Sequence, residues 1–253
     1  MKKFIAYFDY LGYKEFIVNN DSEHHHYRVA HIQRDIEAAL AKGKYYKRGN
    51  QLINDVSDSP LITVNISDTV LFWTKDDSIE SFKELIEVCY EFNWSQNNWN
   101  FPVRGSIIHD EIYILDGKLA TKTGGYYNVN TIYGKGIVNS HIKAESQEWA
   151  GTVIDNSVIE KLYSFNELSI FEYLKKYAIK YKVPYKKSNI LNIEYVLKLT
   201  SRESNDAKEF VVSEKNVMDV FKMDNKVINH PSVQIKLNNT IEFVRYLKEI
   251  LND

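Results

Sequence analysis

The sequence predicts an α+β fold of the α/β-sandwich type, a mixed sheet with helices packed on it, and three observations predict it. The apolar run Phe4 to Phe8 ends on Asp9 and is followed by Gly12, which reads as a buried strand entering a tight turn. Two more strand-like runs, Leu61 to Ile66 and Thr69 to Trp73, are separated only by Ser67-Asp68, which reads as a hairpin. Between these strands lie charged segments whose apolar residues recur at helical spacing.

Taken in order, Val29, Ile32, Ile36, Ala39 and Leu40 mark the first helix, and Lys42-Gly43-Lys44 ends it. The polar stretch from there to Pro60 reads as a connection, long for a compact domain. After the hairpin, Asp77-Ser78-Ile79-Glu80 has the form of a helix start, and Phe82, Leu85, Ile86, Cys89 and Tyr90 give the stripe that follows. That helix is expected to end near Asn97-Asn98. Residues 101–108 read as a strand, Ile112 to Leu115 as a second, short one, and Lys135 to Gln147 as the next helix. The order strand, helix, two strands, helix, strand, strand, helix suits helices on one face of a mixed sheet.

Beyond Leu162 the composition shifts to Tyr and Lys, as in Tyr173-Leu174-Lys175-Lys176-Tyr177 and Tyr181-Lys182-Val183-Pro184-Tyr185. A solvated amphipathic helix with an apolar face accounts for these better than a nucleic-acid surface does. The last helix is expected over Asn239 to Leu251, with Asn239 and Glu242 as its start signal and Ile241, Val244, Leu247, Ile250 and Leu251 on one side. It reads as a docking helix for the core or for a dimer partner.

Composition narrows the function. With 253 residues and 44% apolar content the chain can bury one sizeable core. A net charge of -2 offers no basic excess, so a free nucleotide is a better polyanionic partner than nucleic acid. Cys89 is the only cysteine, which excludes an intramolecular disulfide and a cysteine-based zinc site, and its place on an apolar helix face points to packing. The start, Met1 to Phe8, imitates a signal peptide, but Asp9 cuts the apolar run short and no small-residue cleavage site follows. No stretch approaches the roughly 20 apolar residues that cross a bilayer, so no membrane is expected and the cytoplasm is the expected location. His24-His25-His26 point about 100° apart on a helix, cannot jointly chelate one ion, and read as a solvated face. Neither a GxSxG elbow nor a GxxxxGK[ST] loop occurs, which removes serine hydrolase and P-loop readings.

Asp9 and Asp68 carry the chemistry. Each ends a short apolar strand, and two carboxylates from neighbouring strands can hold two divalent cations. Such a pair, roughly 3.5 to 4 Å apart, clamps the attacking and leaving oxygens of an in-line displacement at phosphorus. Either aspartate alone would be an ordinary turn residue.

Four segments in order now make a resemblance: Phe8-Asp9-Tyr10-Leu11-Gly12-Tyr13, Ile66-Ser67-Asp68-Thr69-Val70, Val103-Arg104-Gly105-Ser106-Ile107-Ile108-His109, and Gly136-Ile137-Val138-Asn139-Ser140-His141-Ile142-Lys143-Ala144-Glu145-Ser146. Through them the chain resembles the class III nucleotidyl cyclase family. The resemblance implies a ferredoxin-like core with a mixed or antiparallel sheet, a catalytic domain over 1–160, and an α/β extension over 161–253 packed on it. It implies that Asp9 and Asp68, with Tyr10, bind two Mn2+ or Mg2+ ions. Tyr10, Leu11, Gly12, Tyr13 and Lys14 would cradle the triphosphate through backbone N–H groups. Asn139 matches the family's ribose-binding Asn. The partner Arg of that helix is replaced by Lys143, a point charge without the planar fork. Arg104 is an alternative phosphate ligand.

The positions that read the base depart from the family. Val64 and Lys135 stand where adenylyl cyclases carry a Lys and an Asp, and the guanine-reading Glu and Cys are absent too. The Ser-Asp hairpin and the stretch Glu145 to Asp155 look like the pyrimidine cyclases of bacterial Pycsar antiphage systems. That likeness implies conversion of UTP or CTP to cyclic UMP or cyclic CMP, at a composite site in a homodimer, activating a separate effector during infection. The competing expectations are an adenylyl or guanylyl cyclase with unusual base contacts, and a catalytically silent cyclase-like domain that binds nucleotide or serves as a scaffold.

Overall fold

The apolar run Phe4 to Phe8 lies within β1 (Lys2–Tyr10), and all five residues are buried. A strand apolar on both faces needs cover on both sides. The computed structural model, which describes residues 2–186, 192–202 and 209–251, supplies it. After β1 come α1 (Tyr13–Asn19), α2 (Ser22–Ala41) and the hairpin β2 (Tyr45–Arg48) and β3 (Gln51–Asn54). A second hairpin, β4 (Ile62–Ile66) and β5 (Thr69–Trp73), precedes α3 (Ile79–Trp99) and β6 (Val103–Glu111). Then follow the two-stranded arm β7 (Tyr113–Ala120) and β8 (Tyr126–Tyr133), α4 (Lys135–Glu145), β9 (Thr152–Ile154), α5 (Asn156–Ser164) and α6 (Ser169–Tyr177). The chain ends with β10 (Ala178–Lys182), β11 (Ile193–Leu197), β12 (Thr200–Arg202), β13 (Glu209–Val211), α7 (Glu214–Lys222) and α8 (Pro231–Leu251).

The central sheet has the order β10-β11-β9-β6-β1-β5-β4. Its β6-β1-β5-β4 portion is antiparallel, with β1 and β4 joined through α1 and α2, and β5 and β6 joined through α3. That is the split βαβ arrangement of a ferredoxin-like core. β9 adds in parallel to β6, and β11 and β10 extend that edge, which makes the sheet mixed. Phe4, Phe8, Val70 and Phe72 on one face pack against Ile32 and Ile36 of α2 and Phe82, Leu85 and Phe92 of α3. Ile5, Tyr7, Leu71 and Trp73 on the other face pack against Ala144 of α4.

α4 therefore corrects the expectation that the helices share one face. Its approach is permitted by Gly136, where a Cβ would overlap Ile5 Cδ1 and sit 2.7 Å from the carbonyl oxygen of Glu111. The polar stretch before Pro60 is not a plain connection but contains the β2–β3 hairpin, turning at Gly49 with φ 61°. Its strands are surface pieces with no buried face, so they carry no apolar alternation to read. The short strand expected at Ile112 to Leu115 is eight residues long and pairs with β8, which the sequence reading did not anticipate. Ser78, not Asp77, caps α3 by accepting from Ser81 N. α8 begins at Pro231, whose ring is preset for a first helical turn, and the expected start residue Asn239 lies inside it, donating to Glu148 O at 2.7 Å. The first Tyr-Lys cluster falls on α6, whereas Tyr181 and Lys182 lie on the edge strand β10.

α8 closes a second core with Trp149, Val153, Val196 and Phe221. Among the described residues no helix is long and apolar enough to cross a membrane. Gly136→Ala is expected to destabilise the protein by about 1–3 kcal/mol, because α4 or Ile5 must move to admit the methyl. Urea denaturation of the variant measures this.

Candidate active site

Asp9 is the penultimate residue of β1, directly opposite Thr69 of β5 and Arg104 of β6. Opposed residues on antiparallel strands share a face, so Asp9, Thr69 and Arg104 lie on the side covered by α4. Asp68 occupies the β4–β5 turn, where Ser67 adopts φ 55°, and its carbonyl accepts from Tyr10 N at 2.9 Å. The hairpin turn is thereby tied to the end of β1, and the two carboxylates are near enough for Asp68 to act electrostatically on Asp9.

Asp9 is largely withdrawn from water, with 17% of its side chain exposed. Burial raises its carboxyl above the usual aspartate range; Arg104, whose Nε donates to Asp9 Oδ2 at 2.8 Å, pulls it back, and the charge of Asp68 adds to the rise. The Asp68 carboxylate makes no side-chain hydrogen bond or ion pair recorded among the described residues. One under-compensated carboxylate beside one free one is a donor set that suits hard cations, which prefer carboxylate oxygen. No group of three or more His, Cys, Asp or Glu suited to a metal occurs among the described residues, so the set is these two side chains. The hydroxyl of Tyr10 does not join them. It is buried without a partner on the opposite face, among Tyr13, Phe92 and Phe101, because Tyr10 follows Asp9 and successive strand side chains alternate.

The turn after β1 is narrower as a phosphate cradle than its sequence suggests. Tyr10 N donates to Asp68 O and Leu11 N to Pro102 O at 2.8 Å, so those two donors are committed. Gly12, Tyr13 and Lys14 supply the remaining N–H groups, and Gly12 adopts φ 79°, a left-handed conformation that favours glycine. The helix that follows, α1, has only seven residues, so its dipole is small.

α4 divides its functional residues between two faces. Asn139 and Lys143 are four apart and share one side, whereas His141 and Glu145 lie about 200° round from Asn139 and Lys143 respectively. His141 Nδ1 shares a hydrogen bond of 3.0 Å with Tyr7 OH, and Glu145 Oε1 accepts from Arg104 Nη2 at 3.1 Å. Tyr7 also lies 3.3 Å from Thr69 Oγ1, and burial raises its hydroxyl. Tyr7, His141 and Glu145 thus belong to the Asp9 side and were not singled out from sequence. The available signals were the two-residue spacing of Tyr7 from Asp9 and the four-residue spacing of His141 from Glu145.

Asn139 and Lys143 face elsewhere. Asn139 Nδ2 donates to Asp110 Oδ2 at 2.8 Å, and Lys143 Nζ donates to Glu194 Oε2 at 2.6 Å and lies 3.3 Å from Asp155. They line a separate cleft of about 370 Å3 with Lys2 and His109. Asn139 thus engages Asp110, six residues beyond Arg104 on β6, rather than the end of the strand where Asp9 lies. One chain does not bring Asn139 and Lys143 to Asp9 and Asp68. Val64 packs on the α4 face with Ile62, Ile114 and Ile137, and Lys135 is exposed at the first position of α4.

The histidine run diverges: His24 Nε2 pairs with Asp224 at 2.9 Å, and His25 packs on Phe16. The solvated face expected there holds only for His26, because Asp224 in the loop after α7 holds His24 and Phe16 of α1 packs on His25. Cys89 is fully buried and its thiol is pushed well up by burial.

No family model matches the chain, and no curated protein matches it in sequence. In structure it is similar to the catalytic core of a rhodopsin-guanylyl cyclase with converted specificity, solved with ATPαS, at 8% identity and TM-score 0.47, covering 78% of this chain and 94% of that one. It is likewise similar to the dimeric guanylyl cyclase domain of the RhoGC fusion protein of the aquatic fungus Blastocladiella emersonii, at 9% identity and TM-score 0.44, covering 78% and 93%. At this level of likeness the chemistry of the site has to come from its own residues.

Arg104→Met is expected to cost about 3 kcal/mol near pH 7, because it leaves Asp9 buried without its partner. Asp9 then ionises still less readily in the folded state than in the unfolded one. The favourable folded-state protonation is complete below about pH 4 and is lost as pH rises through the folded value, so the deficit of the variant grows from pH 4 to pH 7. Denaturation curves of both proteins across that range measure it.

Proposed function

We propose that the chain is a nucleotidyl cyclase acting on a pyrimidine triphosphate, UTP or CTP, and generating cyclic UMP or cyclic CMP and pyrophosphate as a signal in antiphage defence. The observation that carries the reading is the Asp9–Asp68 pair, two carboxylates joined at the ends of adjacent core strands with too little positive charge to balance them. Mn2+ or Mg2+ held there would neutralise phosphate charge and acidify the 3'-hydroxyl. The chain's own groups do the rest. Gly12, Tyr13 and Lys14 offer N–H donors to phosphate, and Arg104 holds Asp9 in place. Val64 presents no hydrogen-bonding group to a base edge, and Lys135 presents donors only, which suits neither the purine-reading pair of adenylyl nor that of guanylyl cyclases.

The working site is composite, completed by Asn139 and Lys143 of a second copy. Three features support a homodimer. Asn139 is turned away from Asp9 and engages Asp110. Val138 and Ile142 stand exposed on α4. The β7–β8 arm, which no third strand among the described residues supports, carries exposed Leu115, Leu119, Tyr126 and Tyr133, and a lone hairpin of this kind is marginal in water. The ion pair of Arg104 with Asp9 and the engagement of Lys143 by Glu194 also favour a second reading, a domain that binds nucleotide without turning it over.

Incubation with ATP, GTP, CTP and UTP separately, with Mn2+ or Mg2+, followed by mass identification, is expected to give a cyclic pyrimidine product that Asp68→Ala abolishes. A cyclic purine would overturn the base assignment alone, and binding without product would establish the second reading. Asp9→Ala and Asn139→Ala, each at least 100-fold impaired, are expected to regain activity when mixed as heterodimers. Stable mixed dimers that stay inactive would rule out the shared site.

A further inference from the structure

The segment from Ala38 to Asn54 carries Lys42, Lys44, Lys47 and Arg48 and no acid. Net charge argues against a general nucleic-acid surface on this chain, but not against one confined to a segment like this. Most of the segment folds as the β2–β3 hairpin, which no third strand joins among the described residues. Its cations divide by position. Those at the root are paired, Lys42 with Glu84 and with Glu87 at 3.1 Å and Lys44 with Asp58 at 2.7 Å, so they fasten the hairpin to the body of the protein. Lys47 and Arg48, next to the Gly49 turn, meet no carboxylate among the described residues.

Register decides which side chains face α2. Tyr45 stands opposite Asn54 and Lys47 opposite Leu52, so these four share one face of the hairpin. Asn54 Nδ2 donates to the carbonyl oxygen of Arg34 at 3.2 Å, which turns that face towards the helix. A cleft of about 400 Å3 remains between them, lined by Tyr45 and Leu52 on the hairpin and by Arg34, Glu37 and Ala38 on α2. Tyr45 is 57% exposed and its ring has no aromatic or cationic neighbour among the described residues, so it offers an open flat face. Arg34 is exposed, 3.8 Å from Asp35, and Glu37 accepts from Gln33 Nε2 at 3.1 Å.

The cleft continues along α2. Tyr27, His31, Arg34 and Ala38 follow one another at spacings of four, three and four residues and form one stripe. Tyr27 is 58% exposed, and its ring centre lies 4.2 Å from that of His31. Burial lowers the His31 imidazole, and the charges of Arg34 and Arg28 lower it further, with Asp224 opposing. The stripe is therefore aromatic and electropositive at once.

We infer that the α2-facing side of the hairpin and the Tyr27 to Arg34 stripe form a binding surface for single-stranded nucleic acid, with bases stacked on Tyr45 and Tyr27 and phosphates met by Arg34, Lys47 and, at the tip, Arg48. Open tyrosine faces interleaved with unpaired cations suit unstacked bases on a phosphate backbone. A duplex offers the phosphates but keeps its base faces covered, and an acidic peptide uses the cations but not the rings. The surface is separate from Asp9 and Asp68, and the inference does not rest on the cyclase reading.

Fluorescence anisotropy of a labelled oligothymidylate of about 12 nucleotides, titrated with the full chain, tests it. Binding is expected with a Kd of about 1–100 µM at about 0.1 M salt, and log K is expected to fall with log salt at a slope of about -2, roughly 0.7 for each of three phosphates neutralised. The double variant Arg34→Gln, Lys47→Gln is expected to flatten that slope by about 1.4 and to weaken binding by about tenfold or more. Tyr45→Leu keeps apolar bulk in the cleft and is expected to weaken binding by about fivefold or more with the slope unchanged, which a ring with a merely structural role would not do. Oligouridylate of the same length is expected to bind comparably, because stacking and phosphate contacts do not read the 2'-hydroxyl. The double variant Lys215→Gln, Lys222→Gln makes the same charge change on exposed residues of α7 and is expected to bind like the wild type. No binding by the wild type, an equal loss in the α7 variant, or tighter binding of a duplex or of polyglutamate of the same length would each overturn the assignment. Asp68→Ala is expected to bind the oligonucleotide like the wild type, so a chain that makes no cyclic product yet binds through Arg34, Lys47 and Tyr45 overturns the cyclase reading and leaves this surface standing.

Discussion

The guanidinium of Arg104 is the interaction on which the rest of the site depends. A carboxylate at the end of a central strand is expensive to bury, and among the described residues Arg104 is the direct cationic partner of buried Asp9. The fork then does more than neutralise. Nη1 and Nη2 reach the carbonyl and carboxylate of Glu145, so a single side chain ties β1 and β6 to the last turn of α4. Only arginine offers donors in a rigid plane that can satisfy strand and helix together. Compensation is nevertheless incomplete, since burial still outweighs Arg104 at Asp9. The Asp9 carboxyl therefore stays above its ordinary range.

The same packing explains why α4 keeps Asn139 and Lys143 apart from the two carboxylates. α4 crosses the sheet at the close contact of Gly136 with Ile5 and Glu111, and that contact sets its rotation. With rotation set, His141 and Glu145 face Tyr7 and Arg104, and Asn139 and Lys143 face Asp110 and Glu194. No side-chain rearrangement moves the second pair across the helix. The exposed apolar residues of α4 and of the β7–β8 arm are the surface that the proposed homodimer would cover.

The C-terminal part stabilises the first half and reshapes its rim. β10 and β11 continue the same sheet, Trp149 stacks on Tyr181 and meets Phe243 edge-on, and Thr240 Oγ1 accepts from Ala150 N at 2.8 Å. These contacts fix α8 and the loop before it. The loop can then turn through the left-handed Asp224 and Asn225 and keep Lys226 buried against the Gly12 turn. Packing far from the carboxylates thus sets the electrostatics beside them.

Strand identity, the hairpin at Ser67-Asp68 and the pairing of two strand-end aspartates were legible in the sequence, because buried strands announce themselves by apolar runs and Asp9 and Asp68 interrupt those runs. Surface strands such as β2, β3 and β8 were not, because without a buried face no alternation is imposed on them. Nor was the backbone donor set of the Gly12 turn, since Tyr10 N and Leu11 N are consumed by Asp68 and Pro102, residues distant in the chain. By itself the sequence determined which side chains are available to hold cations and that they end strands, because residue type and local periodicity are one-dimensional properties. Only the tertiary structure decided that Arg104 pairs with Asp9, that α4 splits its residues between two faces, and that His141 and Glu145 come to the Asp9 side. Each of those depends on strand register, helix rotation and long-range burial, which arise when the whole chain packs.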